Sequence, residues 1–406
     1  MNLSLQDPFA VAKEYPDSLI QTFQYGHSTT FQFNKKGDYL ASGTSDGSIV
    51  IYDLSINGVI CLMESVHSRP ITSLSWSSCG QYLLSTSQDW TCKLWDLNNC
   101  ETPLKSILCD GPIWSGMINP NNSQEFVLSL FEDKPIYYRN EVVKLETEPE
   151  ITKHLTLVSV FTPDGQYIFM GTNKGYLNII STKDLKLVHS FKLANSNIKN
   201  LVISPNGRKL AVNSSDRIIR QIIVPDLIND DVENWEFEVE HKYQDVVNKL
   251  QWNSVSFNHN GEFLVASTFG TQSSQDLYIW ETSMGSLIKI LEGSSEELIE
   301  VKWNYPRCMI ASNGIEYGII YLWSVEFPQK WSALAPDFVE IEDNIEYQEK
   351  EDEFDIIDED LLNKKRMEEE DLKVDIITTE KLDARGFDLT SKSFIIPINY
   401  EQSLAN

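Results

Sequence analysis

The stretch from His67 to Asp96 reads HSRPITSLSWSSCGQYLLSTSQDWTCKLWD, and its pattern decides the fold. Ile71, Leu74 and Trp76 supply the apolar positions of a half-buried strand. Ser78-Cys79-Gly80 is turn chemistry, and Tyr82 to Ser85 reads as the next strand. A tight turn at Gln88-Asp89 leads into a strand that ends Leu94-Trp95-Asp96. His67, Ser85, Asp89 and Trp95 carry the polar groups of this otherwise apolar frame. Polar groups survive inside such a frame only when they satisfy one another.

Worn copies of the stretch fill most of the chain. Strand ends, read here as those of inner strands, align at Tyr52, Trp95, Tyr138, Ile180, Ile222, Trp280 and Trp323, in steps of 43, 43, 42, 42, 58 and 43 residues. Strand-then-glycine turns repeat with them at Gly37, Gly80, Gly165, Gly207 and Gly261. Ile118 to Asn122 and Trp303 to Arg307 are the degenerate members. A period of about 40–45 residues with four short strands each is the mark of a propeller of WD repeats. The expected fold is therefore all-β: a seven-bladed WD40 β-propeller, which leaves only short, protected edges. His67, Ser85, Asp89 and Trp95 fall where a WD blade places a buried hydrogen-bonded lock, so they read as structural and not as a catalytic pair. Only the second blade carries the full set. The first keeps Ser42 and Asp46 without a matching His, and the fourth and fifth have lost nearly all of it.

The charge is acidic and uneven. The net charge of -27 argues against binding nucleic acid by bulk attraction. Asp337 to Asp375 holds 18 acids and 5 bases, nearly half of the net charge. Six cysteines (Cys61, Cys79, Cys92, Cys100, Cys109 and Cys308) form no CxxC pair. With six scattered histidines they offer no metal-ligand spacing, so no metal or cofactor is expected. They read as reduced thiols of a cytosolic or nuclear protein. No apolar run is long enough to span a membrane, and the start lacks the order of a signal peptide.

In chain order, 1–18 is a leader whose Leu3, Leu5, Phe9 and Val11 could pack on the ring. The ring occupies 19–328, with Leu19 to Phe23 as the strand expected to close it. Blades one to five run from about Thr29 to Pro225. The 58-residue step leaves about 15 extra residues, divided between Pro225–Glu240 and Phe269–Gln275. The acidic insertion reads either as a solvated loop or as a partner contact. From 329 to 380 the strand period is gone, and the charge argues against independent folding. Yet Trp331, Leu334, Phe338, Ile341, Ile345 and Tyr347 sit among the acids, as do Phe354, Ile356 and Ile357. Apolar anchors among carboxylates suit a segment that lies across a basic surface with apolar pockets. Lys364-Lys365-Arg366 reads either as a nuclear-import signal or as local charge balance. The last part, 381–406, contains a short apolar stretch, SFIIPINY.

Several of these stretches resemble one family. The opening NLSL, DGSIVIYD of the first blade, HSRPITSLSW of the second, and above all WSALAPDF followed by EYQEKEDEFDIIDED are similar to the WD-repeat subunit of COMPASS-type histone methyltransferase complexes, the retinoblastoma-binding protein five or Swd-one type. The resemblance implies a nuclear, non-catalytic scaffold. A separate SET-domain subunit would methylate lysine four of histone H3, on nucleosomes met through the complex. Trp331 to Asn344, with Trp331, Leu334, Pro336, Phe338 and Ile341 as anchors, would correspond to an activation segment touching the SET domain and a SPRY-domain subunit of Ash-two or Bre-two type. Glu346 to Asp360, with Tyr347, Glu349, Glu351, Glu353, Phe354 and Ile356, would dock on the SPRY subunit. Val374-Asp375-Ile376 would be held by a second WD-repeat subunit, with Ile standing where the family motif has Val.

Two other readings compete. An enzyme with its site in the central channel would need convergent acids, histidines or a metal set, and no such cluster is visible in the sequence. A small-molecule substrate is therefore not expected. A WD-repeat scaffold of another assembly, such as a ubiquitin-ligase receptor or an acidic-tailed histone chaperone, fits the ring equally well; only the tail's resemblance favours the methyltransferase complex.

Overall fold

The computed structural model describes residues 13–131, 133–145, 155–227, 232, 235–245, 249–269, 275–325, 364 and 394–397. Among the described residues there are seven four-stranded antiparallel sheets. Six are contiguous in sequence: blades one to six span 28–63, 71–108, 113–144, 156–192, 198–243 and 251–291. The seventh pairs three consecutive strands, Leu298–Asn304, Met309–Gly314 and Ile320–Ser324, with Ser18–Phe23 from the other end of the ring. That strand runs antiparallel to Ile320–Ser324, from Ser18 opposite Ser324 to Phe23 opposite Ile320. The all-β propeller expected from the period is thus the fold, and it is closed by the strand around Leu19 to Phe23.

Each seam between neighbouring blades has its own apolar core. Blades one and two share Ile49, Ile51 and Met63 with Ile71, Leu74 and Trp95. Blades one and seven share Phe31, Leu40 and Tyr52 with Phe23, Ile320 and Leu322. The remaining five seams are built the same way. Strand alternation supplies this directly, since each sheet must bury both faces between two neighbours. Seams also demand small residues. A Cβ on Gly43 would lie 2.7 Å from Ile71 of the next blade, and one on Gly171 would lie 2.6 Å from Ile198.

Two readings of the repeat need correction. The aligned strand ends from Tyr52 to Trp323 lie on the third strand of each blade, not on the inner one. The first strands are innermost, and it is they that neighbour one another around the ring. The third strand ends in aromatic or aliphatic residues because it is covered on both sides by the second and fourth strands and packs into the seams. The glycine of the first turn repeats for a backbone reason: Gly37, Gly80, Gly165, Gly207 and Gly261 all have φ between 64° and 78°, where side chains are strained.

The insertion at 225–240 lies inside blade five, not between blades. It separates the third strand, Ile219–Ile223, from the outer strand, Glu238–Tyr243, so its last residues are already strand. Its described part is not simply a solvated loop. Trp235 and Leu227 are buried, and Trp235 meets Tyr167 edge-on at 5.3 Å between ring centroids. Phe237 stacks on Phe191 of blade four at 4.8 Å. The acidic sequence therefore carries an aromatic clamp from blade five to blade four.

Candidate functional site

The four residues singled out in blade two lie within one hydrogen-bonded chain. Asp89 sits in the turn between the second and third strands, Tyr82–Ser87 and Thr91–Asp96. His67 comes from the loop before the first strand. Asp89 Oδ2 lies 3.0 Å from His67 Nδ1, and His67 Nε2 lies 2.8 Å from Ser85 Oγ. The Trp95 indole N–H donates to the same Ser85 oxygen at 3.0 Å. An ionised carboxylate only accepts, so Nδ1 carries the proton; neutral His67 then accepts at Nε2 from the Ser85 hydroxyl. Asp89 also accepts from the backbone N–H groups of Ser68 and Thr91 and from the Thr91 hydroxyl. Burial is the largest effect on His67 and holds its pKa below the usual value, against the upward pull of Asp89. Burial pushes the Asp89 pKa up, but its hydrogen bonds to Thr91 and the nearby imidazole outweigh that and leave it lowered. With every polar atom of the four side chains engaged, the set is a structural lock.

Other blades solve the same problem with different residues. Blade five was expected to have lost the lock, but it holds a compact substitute. Arg220 donates to Ser214 Oγ at 2.6 Å and to Asp216 Oδ2 at 2.5 Å. Arg220 comes from the third strand of its own blade, in place of an imidazole from the preceding loop. In blade seven the buried Glu296 accepts from the backbone N–H groups of Glu316 and Tyr317, both at 2.8 Å, and from the Tyr321 hydroxyl at 3.2 Å. In blade one Thr44 donates to Asp46, and Ser42 donates to Ser28 at 2.9 Å. Asp216-x-x-x-Arg220 is a readable signal for the blade-five set. Glu296 gives none, because it bonds to a turn twenty residues further along.

The described surface offers little reactive chemistry. Among the described residues, no group of three His, Cys, Asp or Glu side chains converges as a metal would need, and none of the six cysteines forms a disulfide. A cleft of about 480 Å³ opens beside blades four and five near Lys192, Asn195, Asp216 and Arg220; its acid and its arginine are bound to each other. Trp114 and Phe131 of blade three are exposed and stacked, 6.1 Å between centroids. The tail residues lie outside the described residues: Trp331, Leu334, Pro336, Phe338 and Ile341; Tyr347, Glu349, Glu351, Glu353, Phe354 and Ile356; and Val374, Asp375 and Ile376. So do Leu3, Leu5, Phe9 and Val11 of the leader. Of Lys364-Lys365-Arg366, Lys364 alone is described, and it is exposed.

Two outcomes follow for the lock. Asp89→Ala strands the His67, Ser68 and Thr91 donors and should lower stability by about 1–3 kcal/mol, read from chemical denaturation. The second concerns pH. A depressed folded-state pKa means that protons bind the unfolded chain more readily, so His67 stabilises above its unfolded value of about 6.5 and loses that contribution as pH falls below it. The melting temperature should drop as pH falls below about 6.5, and His67→Gln should flatten that drop.

Known proteins place the chain. Residues 17–53 and 60–96 match the family model described as WD domain, G-beta repeat. The chain is 44% identical over 421 residues to "COMPASS component SWD1" of Saccharomyces cerevisiae, covering 98% of each. It is 32% identical to "Retinoblastoma-binding protein 5 homolog" of Drosophila melanogaster, covering 95% of this chain and 78% of the relative. The solved Cps50 (Swd1) β-propeller domain of Myceliophteria thermophila superposes with a TM-score of 0.71 at 41% identity, covering 75% of this chain and 99% of that one. A ring of this form, joined to a sequence match that runs through the acidic tail as well, makes the chain a member of the Swd1 and retinoblastoma-binding protein 5 family.

Proposed function

We propose that the protein is a non-catalytic scaffold subunit of a COMPASS-like complex that methylates lysine four of histone H3 in the nucleus. The observation that carries this reading is the reach of the likeness to the yeast COMPASS component, 98% of both chains, which takes in the tail together with the ring. The locks agree with a scaffold: the acids, imidazole and guanidinium described above are held in hydrogen bonds within their own blades.

The working part is the acidic tail. Trp331 to Asn344 contacts the catalytic SET domain and the SPRY-domain subunit; Glu346 to Asp360 docks on the SPRY subunit; Val374-Asp375-Ile376 is taken by a second WD-repeat subunit. Tyr347 and Phe354 fill pockets and supply about 2 kcal/mol or more each as hot spots. The carboxylates around them speed encounter with a basic surface and add less than about 1 kcal/mol per exposed pair. Joining the SPRY subunit to the SET domain activates by preferring the competent arrangement of that domain, since a ligand shifts a population only through differential affinity.

Deleting Glu346 to Asp360 should abolish SPRY-subunit binding in a reconstituted complex. Phe338→Ala should leave assembly intact and lower the methylation rate; a mutant complex that assembles and methylates at the full rate would reduce the tail to a tether. A peptide spanning Asp371 to Glu380 should bind the second WD-repeat subunit in extended form. Val374→Glu should remove that binding by placing an unpaired charge in an apolar pocket, and equal affinity of the two peptides in a titration would show the motif to be misplaced.

A further inference from the structure

Two cysteines meet between blades one and two. Cys61 lies on the outer strand of blade one, Gly58–Met63, opposite Ile51 of the third strand. Cys100 lies in the link between the third and fourth strands of blade two, Thr91–Asp96 and Lys105–Leu108. Their sulfurs are 3.6 Å apart, with the Cys61 thiol donating to the Cys100 sulfur. Both side chains are half-buried, at the rim of the apolar cluster that holds Trp95 and Leu97. The other cysteines are placed differently. Cys92 and Cys109 lie in the seam of blades two and three, where burial pushes both thiols up, that of Cys109 to about 11. A thiol raised in this way stays protonated and inert. Cys308 is buried and Cys79 is exposed.

The hydrogen bond from Cys61 holds the Cys100 thiol below its usual pKa, against burial and the charge of Asp96. The same contact pushes the Cys61 thiol up. One sulfur is thus prepared as a thiolate, and the other holds a proton beside it. While protonated, Cys100 in turn donates to the Leu97 carbonyl at 3.7 Å, a long contact that ionisation gives up. A disulfide requires the two sulfurs to approach from 3.6 Å to about 2 Å. The Cys100 side can supply that movement. Asn98, Asn99, Glu101 and Thr102 around it are exposed. The bonds that shape the link are local to it: Asn99 N–H donates to the Asp96 carbonyl, and Glu101 N–H to the Asn99 side chain.

We propose that Cys61 and Cys100 form a reversible dithiol switch, oxidised by hydrogen peroxide to a disulfide that staples blade one to blade two. The Cys100 thiolate attacks one peroxide oxygen. The S–O bond forms, the O–O bond breaks, and the leaving hydroxide takes up a proton as water. Cys100 is then a sulfenic acid, oxidised by two electrons. The Cys61 sulfur gives up its proton and attacks the Cys100 sulfur. The S–S bond forms, the S–O bond breaks, and hydroxide leaves with that proton as a second water. Two thiols and one peroxide give one disulfide and two waters, and a dithiol reductant reverses the change by exchange. The cross-link joins positions 39 residues apart, so it restricts the unfolded chain and adds a covalent tie across the seam. This site does not depend on the function proposed above.

The test treats the intact protein with hydrogen peroxide, blocks the remaining thiols with N-ethylmaleimide and maps the peptides by mass spectrometry. Cys61 and Cys100 should appear in one disulfide-linked peptide that dithiothreitol separates. The oxidised protein should melt about 4 °C or more above the reduced protein. Cys61→Ser should abolish that rise and leave Cys100 as a sulfenic acid, captured by dimedone several-fold more than in the unaltered chain. Cys100→Ser should leave Cys61 as a thiol. Recovery of both Cys61 and Cys100 as N-ethylmaleimide adducts after peroxide overturns the switch. So does a disulfide from either of them to a different cysteine, or a cross-linked protein that melts no higher than the reduced one. Should a serine variant fail to fold, the peptide map and melting temperatures of the unaltered protein decide alone.

Discussion

The antiparallel pairing of Ser18–Phe23 with Ile320–Ser324 is the constraint on which the ring depends. Without it blade seven has three strands and an open edge, and the seam to blade one loses Phe23. That residue serves both neighbours: its backbone completes blade seven, while its ring stacks on Tyr52 of blade one at 4.7 Å. The residues just before it tie in blade six as well. Tyr15 meets Phe263 at 5.5 Å, and Asp17 pairs with Lys289 at 2.6 Å. Bringing residues 18 and 324 together closes a loop of some three hundred residues, but closure entropy grows only logarithmically with length. Six successive apolar seams already bring the ends near, so the closing strand fastens an arrangement that the blades have largely built.

In blades one, two, five and seven a carboxylate takes backbone N–H groups of the turn between second and third strands. Asp46 accepts from Ser48, Asp89 from Thr91 and Asp216 from Ile218, each two residues on. That geometry forces the residue after the aspartate into positive φ: 87° at Gly47, 70° at Trp90 and 70° at Arg217. Trp90 is consequently held on the outside, an exposed tryptophan with a backbone cause. Blade seven has no aspartate in this turn, and Glu296 reaches in from the preceding loop to do the same work. What differs between blades is the donor on the carboxylate's other side: an imidazole in blade two, a guanidinium in blade five, hydroxyl groups in blade one.

This explains what could be read in the chain and what could not. The period was legible because two backbone demands recur at fixed spacing, a glycine at positive φ in the first turn and a covered side chain at the end of the third strand. The strand's rank was not, because a third strand buried between blades has the same apolar pattern as an innermost one. The blade-two lock was legible because all four members are present at familiar spacing. Arg220 and Glu296 were missed because they satisfy the same turn from other elements, and sequence spacing does not record a contact made across the fold. Trp235 and Phe237 were hidden by the acids around them: the composition of 225–240 suggests solvent, while two aromatics decide its packing. Ile396 reads as one aliphatic residue among several, and only its burial in the seam of blades one and two shows that it packs there.

Ring and tail differ in how their charges are satisfied, and that difference bears on where function resides. The lock carboxylates Asp89, Asp216 and Glu296 each hold several donors from the ring itself, so they add to stability and leave nothing for a partner. Between Asp337 and Asp375 the balance is opposite, with 18 acids against 5 bases, an excess of 13 carboxylates that no cation of the same stretch can match. Water can satisfy such an excess, but water gives no reason for Trp331, Phe338, Tyr347 and Phe354 to stand among the acids. A partner surface that offers both cations and apolar pockets accounts for the two together. On the proposed reading the charges would bring it in and orient it, and the aromatic side chains would set the strength of the contact.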